Sequence, residues 1–190
     1  QLDPTPVRGT EVALDPQGAA RSPFFSPDGR WIGFWQDGQL KKVSITGGAP
    51  LELCDAEAPW GVSWTSDNTI LYGQSEEGAG KGAAGIWRVS SEGGKPEHVV
   101  KVEAGQIADS PRLLPGGRAI MFTLLAREWD TAQIVVESLD SGRRHVVVER
   151  GTDARYVPTG HLVYALDGTL LAVPFDVSRL AVTGDAVPVV

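Results

Sequence analysis

A chain of 190 residues, 42% of them hydrophobic, holds enough apolar content for one cored domain or for several small sheets sharing cores, and it does not read as disordered. Its net charge of −7, with no Lys/Arg cluster to offset it, excludes a nucleic-acid partner, because phosphates require a basic surface. The longest apolar stretch, Ala119-Ile120-Met121-Phe122 followed by Leu124-Leu125-Ala126, falls far short of the ~20 residues of a membrane helix, so no membrane insertion is expected of this segment.

Residues 1–20 contain one strand-like piece, Gly9-Thr10-Glu11-Val12-Ala13-Leu14, ringed by Pro4, Pro6 and Pro16. With neither a starting Met nor a capping signal, residues 1–21 read as the outer strand of a unit that begins further upstream. The first complete unit follows. Ser26-Pro27-Asp28-Gly29 sets a turn: Pro fixes φ, Asp caps through its side chain, and Gly supplies a positive φ. The aromatic and β-branched run Trp31-Ile32-Gly33-Phe34-Trp35 is then a strand, Gln36-Asp37-Gly38 reverses the chain, and Leu40 to Ile45 returns. Gly47-Gly48-Ala49-Pro50 turns into a fourth strand at Leu51. The unit is an antiparallel meander.

The same plan recurs. In the second unit Thr65-Ser66-Asp67-Asn68 occupies the first turn, with Asn in place of Gly because it too tolerates a left-handed backbone. Ile86-Trp87-Arg88-Val89 is its third strand, and Gly93-Gly94-Lys95-Pro96 matches the earlier Gly-Gly turn. The third unit turns at Pro115-Gly116-Gly117 and the fourth at Pro158-Thr159-Gly160, with a last short strand at Ala186 to Val190. The turn residue stands at Gly29, Asn68, Gly117 and Gly160, giving spacings of 39, 49 and 43 residues. Four strands per period of 40–50 residues predict an all-β β-propeller of about four four-stranded antiparallel blades, a partial or unusual ring. The blades are placed at 22–57, 58–106, 107–151 and 152–190. Residues 74–85, QSEEGAGKGAAG, read as a loop inserted between two strands. Trp31, Trp35, Trp64, Trp87 and Phe122 are then filler between blades rather than a ligand platform.

Chemistry is sparse by this reading. Gly80-Lys81-Gly82-Ala83-Ala84-Gly85 spells G-x-G-x-x-G, but a strand follows it where a dinucleotide site needs a helix. There is no G-x-S-x-G, and His98, His145 and His161 are scattered, so no catalytic residue, no metal site and no cofactor is expected. Cys54 stands alone beside Leu53 and reads as a small buried filler. What could bind is the channel edge, where the first strands of a propeller line up. The candidates there are Arg21, Trp60, Asp109, Asp153 and Arg155.

Taken together, FSPDGRWIGF, GGAP, IWRVSSEGGKPE and VPTGHLVYALDGTLLAVPFD resemble the WD40-like, TolB-type propeller, and within it the propeller region of bacterial eukaryotic-type serine/threonine protein kinases. That resemblance implies a ring of commonly six blades acting as a sensor or protein-interaction module, joined to a kinase through a membrane segment and then extracytoplasmic, otherwise cytoplasmic. None of the kinase motifs is in this sequence. The function expected is a non-enzymatic scaffold or sensor for a protein or peptide partner. The alternatives are the accessory propeller of a prolyl-oligopeptidase-type hydrolase, or a small-ligand or sugar-binding propeller. Four units do not complete six blades, so self-association through open blade edges is expected as well.

Overall fold

The computed structural model describes residues 7–8, 21–75, 84–126 and 128–189. The strand-like piece at 9–14 and most of the glycine-rich insertion lie outside them. Blade 1 is β1 (Arg21–Phe25), β2 (Trp31–Gln36), β3 (Gln39–Ser44) and β4 (Leu51–Asp55); blade 2 is β5 (Trp60–Trp64), β6 (Thr69–Gln74), β7 (Gly85–Ser90) and β8 (Glu97–Lys101). Blade 3 is β9 (Ile107–Leu113), β10 (Ala119–Leu125), β11 (Gln133–Ser138) and β12 (Arg144–Val148). Blade 4 is β13 (Thr152–Val157), β14 (His161–Leu166), β15 (Thr169–Asp176), β16 (Ala181–Val182) and β17 (Val187–Pro188). Each sheet is an antiparallel meander in sequence order. In blade 4 the long β15 pairs with β16 at Phe175 and with β17 at Ala172, so two short pieces share the outermost position.

The turn chemistry works as the sequence requires. Asp28 accepts from the Ser26 hydroxyl at 2.6 Å and from the Arg30 amide at 3.0 Å, while Gly29 takes φ +67°. In blade 2 Asp67 accepts from Thr65 and Thr69, and Asn68 takes the left-handed position at φ +62°. Both turns therefore carry their own cap and fix the register of the strands they join.

Because side chains alternate across a strand, a blade has two faces to bury, and blades 2 and 3 bury both. In β6, Ile70 and Tyr72 meet Phe24, Leu40 and Leu53 of blade 1, with Trp35, Trp64 and Trp87 around them. Leu71 points the other way and joins Ile86 and Val100 against Ala108, Ile120, Phe122 and Val135 of blade 3. Met121, Ile134 and Val136 then face Leu162, Tyr164, Val173 and Phe175 of blade 4. Cys54 is buried in the core between blades 1 and 2, its thiol pushed up to about 11 by burial and 3.9 Å from the Tyr72 hydroxyl.

Four blades are thus joined by three cores, and among the described residues no core joins blade 4 to blade 1. The outer face of blade 4 shows what is left open. Val163, Ala165, Ala172 and Pro174 share it by register and are only partly covered; Leu170 and Val187, on the same face, are 44% and 54% exposed. Among the described residues no helix is long and apolar enough to cross a membrane.

Candidate functional site at the channel edge

The first strands β1, β5, β9 and β13 lie beside one another along the inner edge of the arc. Each carries one extra residue relative to its partner strand, a β-bulge, and at each bulge one residue adopts a left-handed backbone. These are Ser22 (φ +52°), Gly61 (φ +62°), Ser110 (φ +51°) and Asp153 (φ +47°). The bulges touch. A Cβ on Gly61 would lie 2.5 Å from the Ser110 nitrogen and 2.8 Å from Asp109 Oδ1, so the close approach of β5 to β9 requires glycine there. Blades 3 and 4 are joined by the Asp153 amide donating to Thr123 Oγ1 at 3.1 Å, and blades 2 and 3 by the Ser63 hydroxyl donating to the Pro111 carbonyl at 2.6 Å.

On this frame four charged side chains converge. Asp153 pairs with Arg155 at 3.3 Å and lies 3.8 Å from Arg112. Burial pushes the Asp109 carboxyl up, and the Asp153 charge adds to this against the pull of Ser110 and Arg112. Burial also pulls the Arg112 guanidinium down, with Arg155 as a second cause, and Arg112 Nε is buried without a hydrogen-bond partner. A cleft of about 850 Å³ opens beside the cluster, lined by Trp64, Asp67, Arg112, Gly116, Arg155 and Tyr156 among others. Two guanidiniums on adjacent blades beside aromatic rings form a surface suited to a carboxylate. Among the described residues no three His, Cys, Asp or Glu side chains come together as a metal site would need.

Of the residues singled out from sequence, Asp109, Asp153 and Arg155 are brought together. Trp60 precedes Gly61 and so adjoins the cluster, but its ring turns to Trp129, 6.2 Å away between centroids. Arg21 is exposed at the far end of the row, with β5 between its strand and β9. Arg112 was missed, although the signal was present: it stands two residues after the bulge at Ser110, as Arg155 stands two after Asp153. Trp129 was missed because it lies in a connection rather than in a strand.

No family model and no curated protein matches the chain. Solved structures do. A calcium-binding protein, regucalcin, from Agrobacterium tumefaciens aligns at TM-score 0.64 and 15% identity over 92% of this chain and 60% of its own. A gluconolactonase from Xanthomonas campestris aligns at TM-score 0.64 and 15% identity over 88% and 60%, and TolB from Acinetobacter baumannii at 0.58 and 14% over 80% and 39%. The chain thus spans no more than about 60% of these propellers.

These likenesses correct one expectation. The gluconolactonase and a luciferin-regenerating enzyme share this fold at comparable similarity, so the reading of the chain as no enzyme is not upheld. The physical reason is that a site on this architecture gathers side chains from separate blades, and a search for linear motifs does not see it. What the likenesses show is the fold: an all-β, propeller-type chain of about four blades, with TolB among its structural neighbours.

Proposed function

We propose that the chain is the docking part of a larger propeller protein, and that a protein or peptide segment binds along the channel edge of blades 2 to 4 with an acidic group against Arg112 and Arg155. The observation that carries this reading is the placement of both guanidiniums on the wall of one open cleft, where Asp153 is the carboxylate that pairs with both, Asp109 acts on Arg112 from the buried side and Asp67 stands further along the wall. Trp64 and Tyr156 give the cleft apolar walls on which peptide side chains can lie.

Calorimetric titration of the chain with tetraglutamate tests it. Binding is expected, and Arg112→Ala with Arg155→Ala together should weaken it by about tenfold or more. Binding that survives the double substitution, or no binding at low salt, overturns the reading. Attachment to a bacterial kinase belongs to the same proposal through the sequence resemblance. The coding sequence around the segment decides that part: a kinase domain upstream supports it, and an α/β-hydrolase domain downstream overturns it.

A further inference from the structure

The two mouths of the channel differ. The turns between first and second strands, which edge the cleft beside Arg112 and Arg155, lie at one mouth; the connections between second and third strands lie at the other. At this second mouth the Trp129 ring, 51% exposed, leans on Trp60 with centroids 6.2 Å apart and planes tilted by 42°. The two rings come from different blades. Trp129 belongs to a single 3-10 turn (Trp129–Thr131) that is held in place: the Ala132 amide donates to the Trp129 carbonyl at 3.2 Å, Arg150 Nε to the Asp130 carbonyl at 3.2 Å, and the Gly151 amide to the Ala132 carbonyl at 2.9 Å. The platform therefore exists before any partner arrives.

Clefts open on both sides of this turn. One, of about 440 Å³, is walled by Glu103 and Glu128; the other, of about 320 Å³, by Trp129, Asp130 and Asp167, and by Arg150, which Asp167 engages at 3.3 Å. Carboxylates thus line the clefts on both sides of the turn, with Arg150 taken up by Asp167, and among the described residues no cation lies over either ring, whereas Lys42 and Arg144 do lie over other rings elsewhere. The neighbouring Arg127 is outside the described residues. An indole face with carboxylates beside it attracts a cation through the ring quadrupole and through direct ion pairing.

We infer that the Trp60–Trp129 pair is a docking platform for a basic peptide segment, with an arginine or lysine side chain lying on Trp129 and its charge reaching Glu128 and Asp130. It is separate from the arginine-lined cleft at the opposite mouth, and either can fail without the other. Calorimetry on the 190-residue chain with tetra-arginine tests it. Binding should weaken with added salt, and Trp129→Ala should reduce it about tenfold while Trp129→Phe retains most of it. The Arg112→Ala, Arg155→Ala double variant should bind tetra-arginine as the parent chain does. Because Trp129 is half exposed, Trp129→Ala should melt with the parent, and a melting curve checks this. Tetra-arginine binding unchanged in Trp129→Ala would mean a diffuse acidic surface and overturns the inference. So does the absence of binding at low salt, or cellotetraose giving a Trp129-dependent heat where tetra-arginine gives none.

Discussion

Lys42 of blade 1 and Glu92 of blade 2 meet at 2.9 Å, the lysine side chain 5% exposed and the glutamate 82%. The ammonium also lies 4.8 Å from the Trp31 ring and 6.0 Å from the Trp64 ring, so one buried cation ties two blades together through two indoles and a carboxylate. Lys42→Ala removes both the buried stem and the cation–π contacts and should cost about 2 kcal/mol in urea unfolding. Lys42→Met keeps the volume and should cost less. Equal losses in the two variants would show that the charge carries the effect.

Glu92 gives that contact a pH dependence. The hydrogen bond and charge of Lys42 hold its carboxyl below the ordinary value of 4.5. A depressed carboxylate contributes stability that is present above the unfolded value and is lost as pH falls through the folded one. The urea midpoint should therefore decline on acidification below 4.5. In Glu92→Gln the decline should be shallower, and high salt should narrow the gap between the two proteins because the glutamate is exposed. Parallel profiles would remove Glu92 from the account.

Asp109 works in the opposite direction. Its carboxyl is raised by burial, so the folded protein binds that proton more tightly than the unfolded chain does. The penalty of ionising it is present at neutral pH and is relieved as pH falls through the folded value. Asp109→Asn should melt above the parent at neutral pH, with an advantage that shrinks as pH falls through the folded value and is gone below the unfolded value of about 3.9, where both states hold the proton. An advantage independent of pH would point to packing instead.

At Gly73 blade 2 packs directly against the backbone of blade 3. A Cβ there would lie 1.9 Å from the Ala108 carbonyl oxygen, a backbone atom that cannot swing aside. Gly73→Ala should destabilise by about 3 kcal/mol in urea unfolding, the upper end for overpacking. Gly38→Ala meets nothing within 4 Å and serves as the comparison, its loss confined to the strain of φ +78°.

The open face of blade 4 should make the 190-residue chain associate. Light scattering should show mass rising with concentration, and Ala172→Glu, which puts a charge in the middle of that face, should hold the chain monomeric. A parent chain that stays monomeric at high concentration and melts in a single cooperative step would overturn this.

Much of the fold was legible because its punctuation is local. Asp28 with Gly29, and Asp67 with Asn68, make their hydrogen bonds within a few residues, so the repeat could be counted without any long-range contact. β1 begins at Arg21, one residue earlier than the turn spacing places it. The split outer strand of blade 4 was not legible, because two-residue pieces such as β16 carry no periodicity. At the site, Asp109, Asp153 and Arg155 could be named from their place on first strands. Arg112 could have been named by the same spacing that Arg155 keeps from Asp153, whereas Trp129 could not, since its role depends on how one connection folds back over a neighbouring blade. Trp60 was assigned to the channel edge for its position, yet its ring serves the other mouth.

The bulges carry one further meaning. A residue with a side chain costs about 1 kcal/mol to hold in the left-handed region, a strain that glycine avoids. Three of the four positions, Ser22, Ser110 and Asp153, nevertheless carry side chains ending in oxygen, and the glycine at the fourth is the one that neighbouring backbone forces. The strain thus runs as a line of stored conformational energy along the inner wall, and at Ser110 it sets a hydroxyl against the Asp109 carboxylate. Relaxing Ser110 to glycine should make the fold more stable and the wall less polar, so that stability and the chemistry of the channel pull against each other at the same backbone atoms.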